Sequence, residues 1–228
     1  MQTSRCVGLI GGLGVGATVY YYQRLVRQCE KLGFALDIVI ANAQTPGVFA
    51  YVEAKDRVGL AEYLNGFIAR LKAAGAEMAV IPAITPLYCA KELAATSALP
   101  IVSLVDPLNR ELGARKARRV AVFGTRFVIE SDLFGELSGV EVVRPGPEEV
   151  EMIHKTYVEL AATGEASPEK YEKLTALAYH LVSRHAVDAI LLAGTDLTLL
   201  FNESNTDFPH IDCAAVHVWE IVREVTRG

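Results

Sequence analysis

Two stretches, AVIPAITPLYC (79–89) and AILLAGTDLTLL (189–200), leave an apolar run at a small residue, Ala83 or Gly194. In each a threonine follows close behind, Thr85 and Thr195, and Asp196 adds a carboxylate to the second. Hydroxyls and backbone N–H groups at such helix starts can stabilise a developing oxyanion, and a carboxylate can move a proton. His217 reads either as a general base or as a hydrogen-bonded core histidine. Asp196 reads either as a ligand contact or as a partner for a helix start. Arg126 either holds a substrate carboxylate or pairs with Glu130 four residues on. Tyr88 either reaches a ligand or packs its helix. Cys89 reads as a buried thiol before a displaced nucleophile, and Cys213 as structural.

A glycine-rich segment, GGLGVGA (11–17), fits G-x-G-x-x-A through Gly12, Gly14 and Ala17. A dinucleotide site would need an acid at the end of the next strand to hold a ribose. That strand ends IVIANAQTP, with Asn42 and Gln44 and no carboxylate. A carboxylate cradle around Gly11 and Gly12 stays open beside the plainer reading of tight turns.

The elements that must position these residues alternate in type. Strands are expected at Cys6–Ile10, Asp37–Asn42, Met78–Ala83, Arg119–Gly124, Val140–Arg144 and Ala189–Gly194. Being apolar on both faces, they suit central parallel strands covered by helices. Helices are expected over 17–32, 57–75, 147–164 and 167–185, the last opened by Ser-Pro-Glu, a cap followed by proline. The alternation predicts an α/β fold with open parallel sheets. GLIGG pairs with AVFGT and AVIPAIT with AILLAGT, at nearly equal separations, which suggests two similar lobes. The expected division is 1–100 with 211–228, and 101–210. Ligands sit at the carboxyl ends of strands in such sheets, so Ala83 and Gly194 are expected to face one cleft.

Composition sets outer bounds. The 228 residues are 51% hydrophobic and 21% charged, an ordinary globule with ample core. A formal net charge of −5 gives no sign of nucleic-acid binding. The basic run Arg110–Arg119 reads as a helix end. Four cysteines without CxxC spacing read as reduced thiols of a cytoplasmic protein. No apolar segment reaches membrane-spanning length, and no His/Asp/Glu cluster has metal-ligand spacing. The tyrosine-rich run Tyr20–Tyr22 and Trp219 read as packing or a subunit interface.

These residues resemble the cofactor-independent aspartate/glutamate racemases along nearly the whole chain. GLIGGLGVGATVYYYQRL is similar to the family's opening loop and helix, and NAQTPGVFAY to its second strand-end loop. IPAITPLY corresponds to Pro-Cys-Asn-Thr-x-His and LAGTDL to Gly-Cys-Thr-Glu. FGTRFVIESDLF is similar to a segment of the broad-specificity branch, and IDCAAVHVWEIV resembles the closing helix. The resemblance implies two pseudo-symmetric three-layer α/β lobes, no cofactor, a small carboxylate or amino-acid-like ligand and a homodimer. It also implies two thiols, one removing the α-proton and the other donating a proton on the opposite face.

The chain departs from that pattern at both thiols. Ala83 and Gly194 stand where the family has cysteine, Ile84 where it has asparagine and Leu87 where it has histidine. Val48 stands where acidic-amino-acid racemases carry an arginine for the side-chain carboxylate. Neither a methyl group nor a hydrogen transfers a proton, so the resemblance does not extend to the two-thiol reaction. The changed surroundings favour divergence over a single knockout. Thr85, Thr195, Asp196, Asn42, Gln44 and the glycine loop keep a polar frame. Two readings follow: an isomerase or lyase that moves protons with Asp196, His217 or Tyr88, and a ligand-binding protein without turnover. Val48, Ile84 and Leu87 make the expected ligand less charged than aspartate under both.

Overall fold

The computed structural model describes residues 2–135, 137–202 and 204–227. The chain divides into two compact units, Met1–Ser103 with His217–Gly228, and Leu104–Val216. The expected boundaries, 100/101 and 210/211, lie a few residues earlier in the chain.

The first unit contains β1 (Gln2–Thr3), β2 (Val7–Gly11), α1 (Val15–Lys31), β3 (Phe34–Ala35) and β4 (Ile38–Asn42). It continues with α2 (Thr45–Glu53), α3 (Arg57–Ala73), β5 (Met78–Val80), a 3₁₀ turn (Thr85–Cys89) and α4 (Ala90–Thr96). The main sheet is parallel in the order β4-β2-β5, and Ile101 bridges to Ala79 beyond β5. All five residues of β2 are buried, as the apolar pattern requires of a central strand. β4 differs from expectation. It is an edge strand with Ile40 exposed, so apolar residues on both faces did not mean cover on both faces. NAQTPGVFAY, expected to be a loop, is mostly helix α2, with Pro46 in its first turn, where no intrahelical N–H is needed.

The second unit contains α5 (Val105–Arg115), β6 (Arg119–Phe123), α6 (Arg126–Glu130), β7 (Glu141–Val143) and α7 (Pro147–Thr163). It continues with α8 (Pro168–His185), β8 (Ala189–Leu192), a 3₁₀ turn (Thr195–Leu199) and β9 (His210–Asp212). α9 (Cys213–Val225) follows, its residues from His217 onward belonging to the first unit. The parallel order β7-β6-β8-β9 repeats that of the first unit, with β9 in the place of the Ile101 bridge. β9 was missed in sequence because three residues, His-Ile-Asp, carry too little pattern. Its pairing with β8 keeps 211–216 with the second unit. The cap expected before α8 is present: Ser167 Oγ accepts from Lys170 N at 3.2 Å. The basic run ends α5 as expected, with Lys116 in the left-handed region and Arg115 paired to Glu111 at 2.6 Å.

α1 packs through Ala17, Tyr21, Leu25 and Cys29, one face at four-residue spacing. Tyr21 meets His217 of α9 there. The Tyr21 hydroxyl lies 3.1 Å from His217 Nδ1, and His217 Nε2 lies 3.0 Å from the Val102 carbonyl. A carbonyl only accepts, so Nε2 carries the proton and Nδ1 accepts from Tyr21. His217 is 3% exposed, with both ring nitrogens engaged within its own unit. The geometry favours the core-histidine reading: the ring links α1, the segment at Val102 and α9. Burial pushes its pKa down to about 4.

A histidine pKa lower in the folded than in the unfolded state favours folding above the unfolded value, and that contribution is lost as pH falls toward the folded one. Stability measured by urea unfolding is expected to fall by about 3 kcal/mol on this account between pH 6.5 and pH 4. In His217→Gln that component of the pH dependence should be missing; an identical slope in both proteins would refute the neutral-imidazole assignment.

Candidate functional site

Parallel strands deliver their carboxyl ends, and the loops that follow, to one side of each sheet. In the first unit β5 ends at Val80, and Ile81–Ile84 lead into the Thr85–Cys89 turn. Ala83 N–H donates to Ile81 O at 2.8 Å, and Leu87 N–H to Ile84 O at 2.9 Å. In the second unit Gly194 leads directly into the Thr195–Leu199 turn, whose Leu197 N–H donates to Gly194 O at 3.0 Å. The two strand-to-turn junctions are therefore built alike, each with a half-buried threonine at its first turn position.

The glycine loop lies beside the end of β4. Gly12 has φ +79°, and a Cβ there would lie 2.2 Å from the Ala43 carbonyl oxygen, so only glycine fits. Its N–H donates to Thr18 Oγ1 at 2.9 Å, and its carbonyl accepts from Thr45 Oγ1 at 2.9 Å. Gly12 is thus occupied in holding α1 and α2 to the strand ends, which favours the turn reading for this residue. A Cβ on Gly11 would press on Thr18 and Ile40 at about 3 Å. Asn42 is exposed, with Nδ2 donating to Ala43 O at 3.0 Å, and Gln44 is exposed at the start of α2.

Three expected ligand contacts are otherwise employed. Val48 is 3% exposed and belongs to the core of the first unit, so its methyl groups serve packing. The Tyr88 ring carries the Arg57 guanidinium 4.3 Å from its centroid, and Arg57 Nη1 donates to Tyr88 O at 2.9 Å. Arg126 pairs with Glu130 at 3.5 Å, as the spacing allowed, and also with Glu151 on α7. Two carboxylates balance its charge, which favours the surface-pair reading. Ile84 remains half-buried beside Thr85.

All four cysteines are buried. Burial raises the pKa of each thiol, pushing Cys89 up to about 12. Cys89 Sγ donates to Pro86 O at 3.4 Å, a structural contact. A nucleophilic or basic thiolate is unfavourable at these positions. Among the described residues, no group of three or more His, Cys, Asp and Glu could hold a metal ion. Likewise, no described helix is long and apolar enough to cross a membrane.

The second unit holds a pair that sequence reasoning missed. Tyr157 of α7 donates from its hydroxyl to Asp196 Oδ2 at 3.1 Å. Asp196 is 8% exposed, and burial raises its carboxyl above the usual range while the Tyr157 bond opposes the rise. Burial and the neighbouring carboxylate drive the Tyr157 phenol strongly upward, so it stays a donor. The Tyr157 ring also covers Gly194: a Cβ at 194 would lie 2.2 Å from Cε2. Gly194 has φ −149° and ψ 119°, extended backbone open to any residue. Space alone therefore excludes a side chain, and no signal near either residue joins 157 to 194.

Comparison with known proteins places these features. The family model described as Asp/Glu/Hydantoin racemase matches residues 10–221. The broad specificity amino-acid racemase RacX of Bacillus subtilis (strain 168) is 24% identical over 222 residues, 92% of this chain and 93% of that protein. An aspartate racemase homologue from Pyrococcus horikoshii OT3 matches in structure with a TM-score of 0.83 at 24% identity, covering 98% of this chain and 100% of that one. Picrophilus torridus aspartate racemase matches with a TM-score of 0.76 at 21% identity, covering 98% and 95%. At these identities the structural matches show the fold.

The steric reading of Gly194 has a direct test. Gly194→Ala is expected to destabilise the protein by about 1–3 kcal/mol, the usual cost of overpacking. Tyr157→Ala removes the obstructing ring, so adding Gly194→Ala to it should cost much less. Additive losses in a double-mutant cycle followed by urea unfolding would contradict the clash.

Proposed function

The chain belongs to the Asp/Glu/hydantoin racemase family, and from that premise we propose that it acts on a small carboxylate or amino-acid-like ligand by one-sided proton transfer. Asp196 is the proton-transferring group, as an isomerase or lyase without thiols would need. The observation that carries the reading is the Tyr157 ring over Gly194 together with its hydroxyl on Asp196. That ring denies the second-thiol position any side chain, and the neighbouring buried carboxyl is the acid/base group left beside it. Thr195 supplies its hydroxyl and turn N–H groups toward an enolate oxygen.

In one-sided transfer, Asp196 takes the α-proton, the electron pair enters the enolate, and a proton returns from Asp196 to the same face. Configuration is kept while the hydrogen exchanges with solvent. An enantiopure panel of apolar amino acids and substituted malonates in heavy water should show α-deuterium incorporation, or decarboxylation, without racemisation. Asp196→Asn should lower the rate at least about 100-fold. Racemisation by the wild type, or full activity in Asp196→Asn, would defeat the proposal.

A second reading, ligand binding without turnover, is favoured by the burial of all four thiols and the closure of His217. Under it a member of the same panel raises the melting temperature and is recovered unchanged.

Pairing with a second copy belongs to the same proposal. Val15, Val19 and Tyr22 form an exposed apolar stripe on α1, Val15 at 77% exposure. Sedimentation should give a dimer for the wild type and a monomer for Val19→Lys. A monomeric wild type would remove this part of the reading.

A further inference from the structure

α7 packs against both α6 and the Thr195–Leu199 turn, so two of its side chains reach the loops at the carboxyl ends of β6 and β8. His154 accepts the Arg126 N–H on Nδ1 at 3.1 Å, and one turn later Tyr157 donates to Asp196. The two contacts hold α7 in register over both strand ends. Among the titratable groups of α7 near this end, His154 is taken by the Arg126 N–H and Glu151 by the Arg126 guanidinium. Tyr157 is the α7 group bonded to Asp196, whose carboxylate also takes a hydrogen bond from its own backbone N–H. A carboxyl has two oxygens, and a donor fixed on one of them sets the rotation of the group and leaves the other to exchange protons.

We propose that Tyr157 is a positioning residue: by occupying Oδ2 it fixes the Asp196 carboxyl and leaves Oδ1 as the atom that takes and returns the proton. This rests on Asp196 being the proton-transferring group proposed above. The balance is simple. Oδ1 gains the proton of the ligand C–H bond, the bonding pair remains on the ligand as the enolate, and Oδ1 later gives a proton back to the same carbon. Tyr157 keeps its own proton throughout.

The test uses the full-length protein labelled with ¹³C, the Asp196 carboxyl resonance being identified by its absence from Asp196→Asn. Tyr157→Phe keeps the ring over Gly194 and removes only the donor. Its Asp196 midpoint should rise by about one pH unit, the order expected for loss of one hydrogen bond to a charged group. The rising limb of the deuterium-exchange pH profile should move with it. Should Tyr157→Phe fold poorly, 3-fluorotyrosine introduced at 157, a more acidic donor, should move the midpoint the other way. An Asp196 midpoint unchanged by either replacement would overturn the inference. A shifted midpoint in a protein whose wild type exchanges no deuterium would uphold the Tyr157–Asp196 linkage and overturn the functional proposal, so the two failures are distinct.

Discussion

The space above Gly194 is the constraint on which the second unit turns. A tyrosine ring fills it, and that ring is held by a hydrogen bond to the carboxylate two residues on, Asp196. The local backbone is extended and would accept any residue. Glycine is required because a helix approaches, and the helix is pinned because its tyrosine has a buried acceptor. Chemistry that needs a side chain at 194 is closed off by packing as well as by residue type.

The two units share a strand order and a strand-to-turn junction but use them differently. In the first, the groups around the junction are tied up: Gly12 in two hydrogen bonds, Tyr88 under Arg57, Val48 in the core. In the second, a buried acid stands beside the junction with the Tyr157 hydroxyl donating to it. A desolvated carboxyl with a raised proton affinity is better suited to moving protons near neutral pH than an exposed one.

His217 illustrates how a buried polar residue can be structural. Its imidazole joins three segments of one unit, and burial stabilises the neutral ring. The buried cysteines follow the same logic, since burying a thiol costs little and burying a thiolate costs much.

Much of the fold was legible in sequence. Val, Ile and Leu runs separated by amphipathic stretches dictate parallel strands under helices, and Ser-Pro-Glu fixes the start of α8, because these signals are local. The repeat could also be read directly. Short or edge elements could not: β9 has three residues, and β4 looks like a central strand because hydrophobicity does not state which neighbours are present. Residue types alone left Arg126, Tyr88 and His217 with two roles each, since burial and partners decide between them. The link from Tyr157 to Gly194 and Asp196 exists only in the folded chain. It depends on where α7 crosses the strand ends, a matter of packing between segments far apart in sequence.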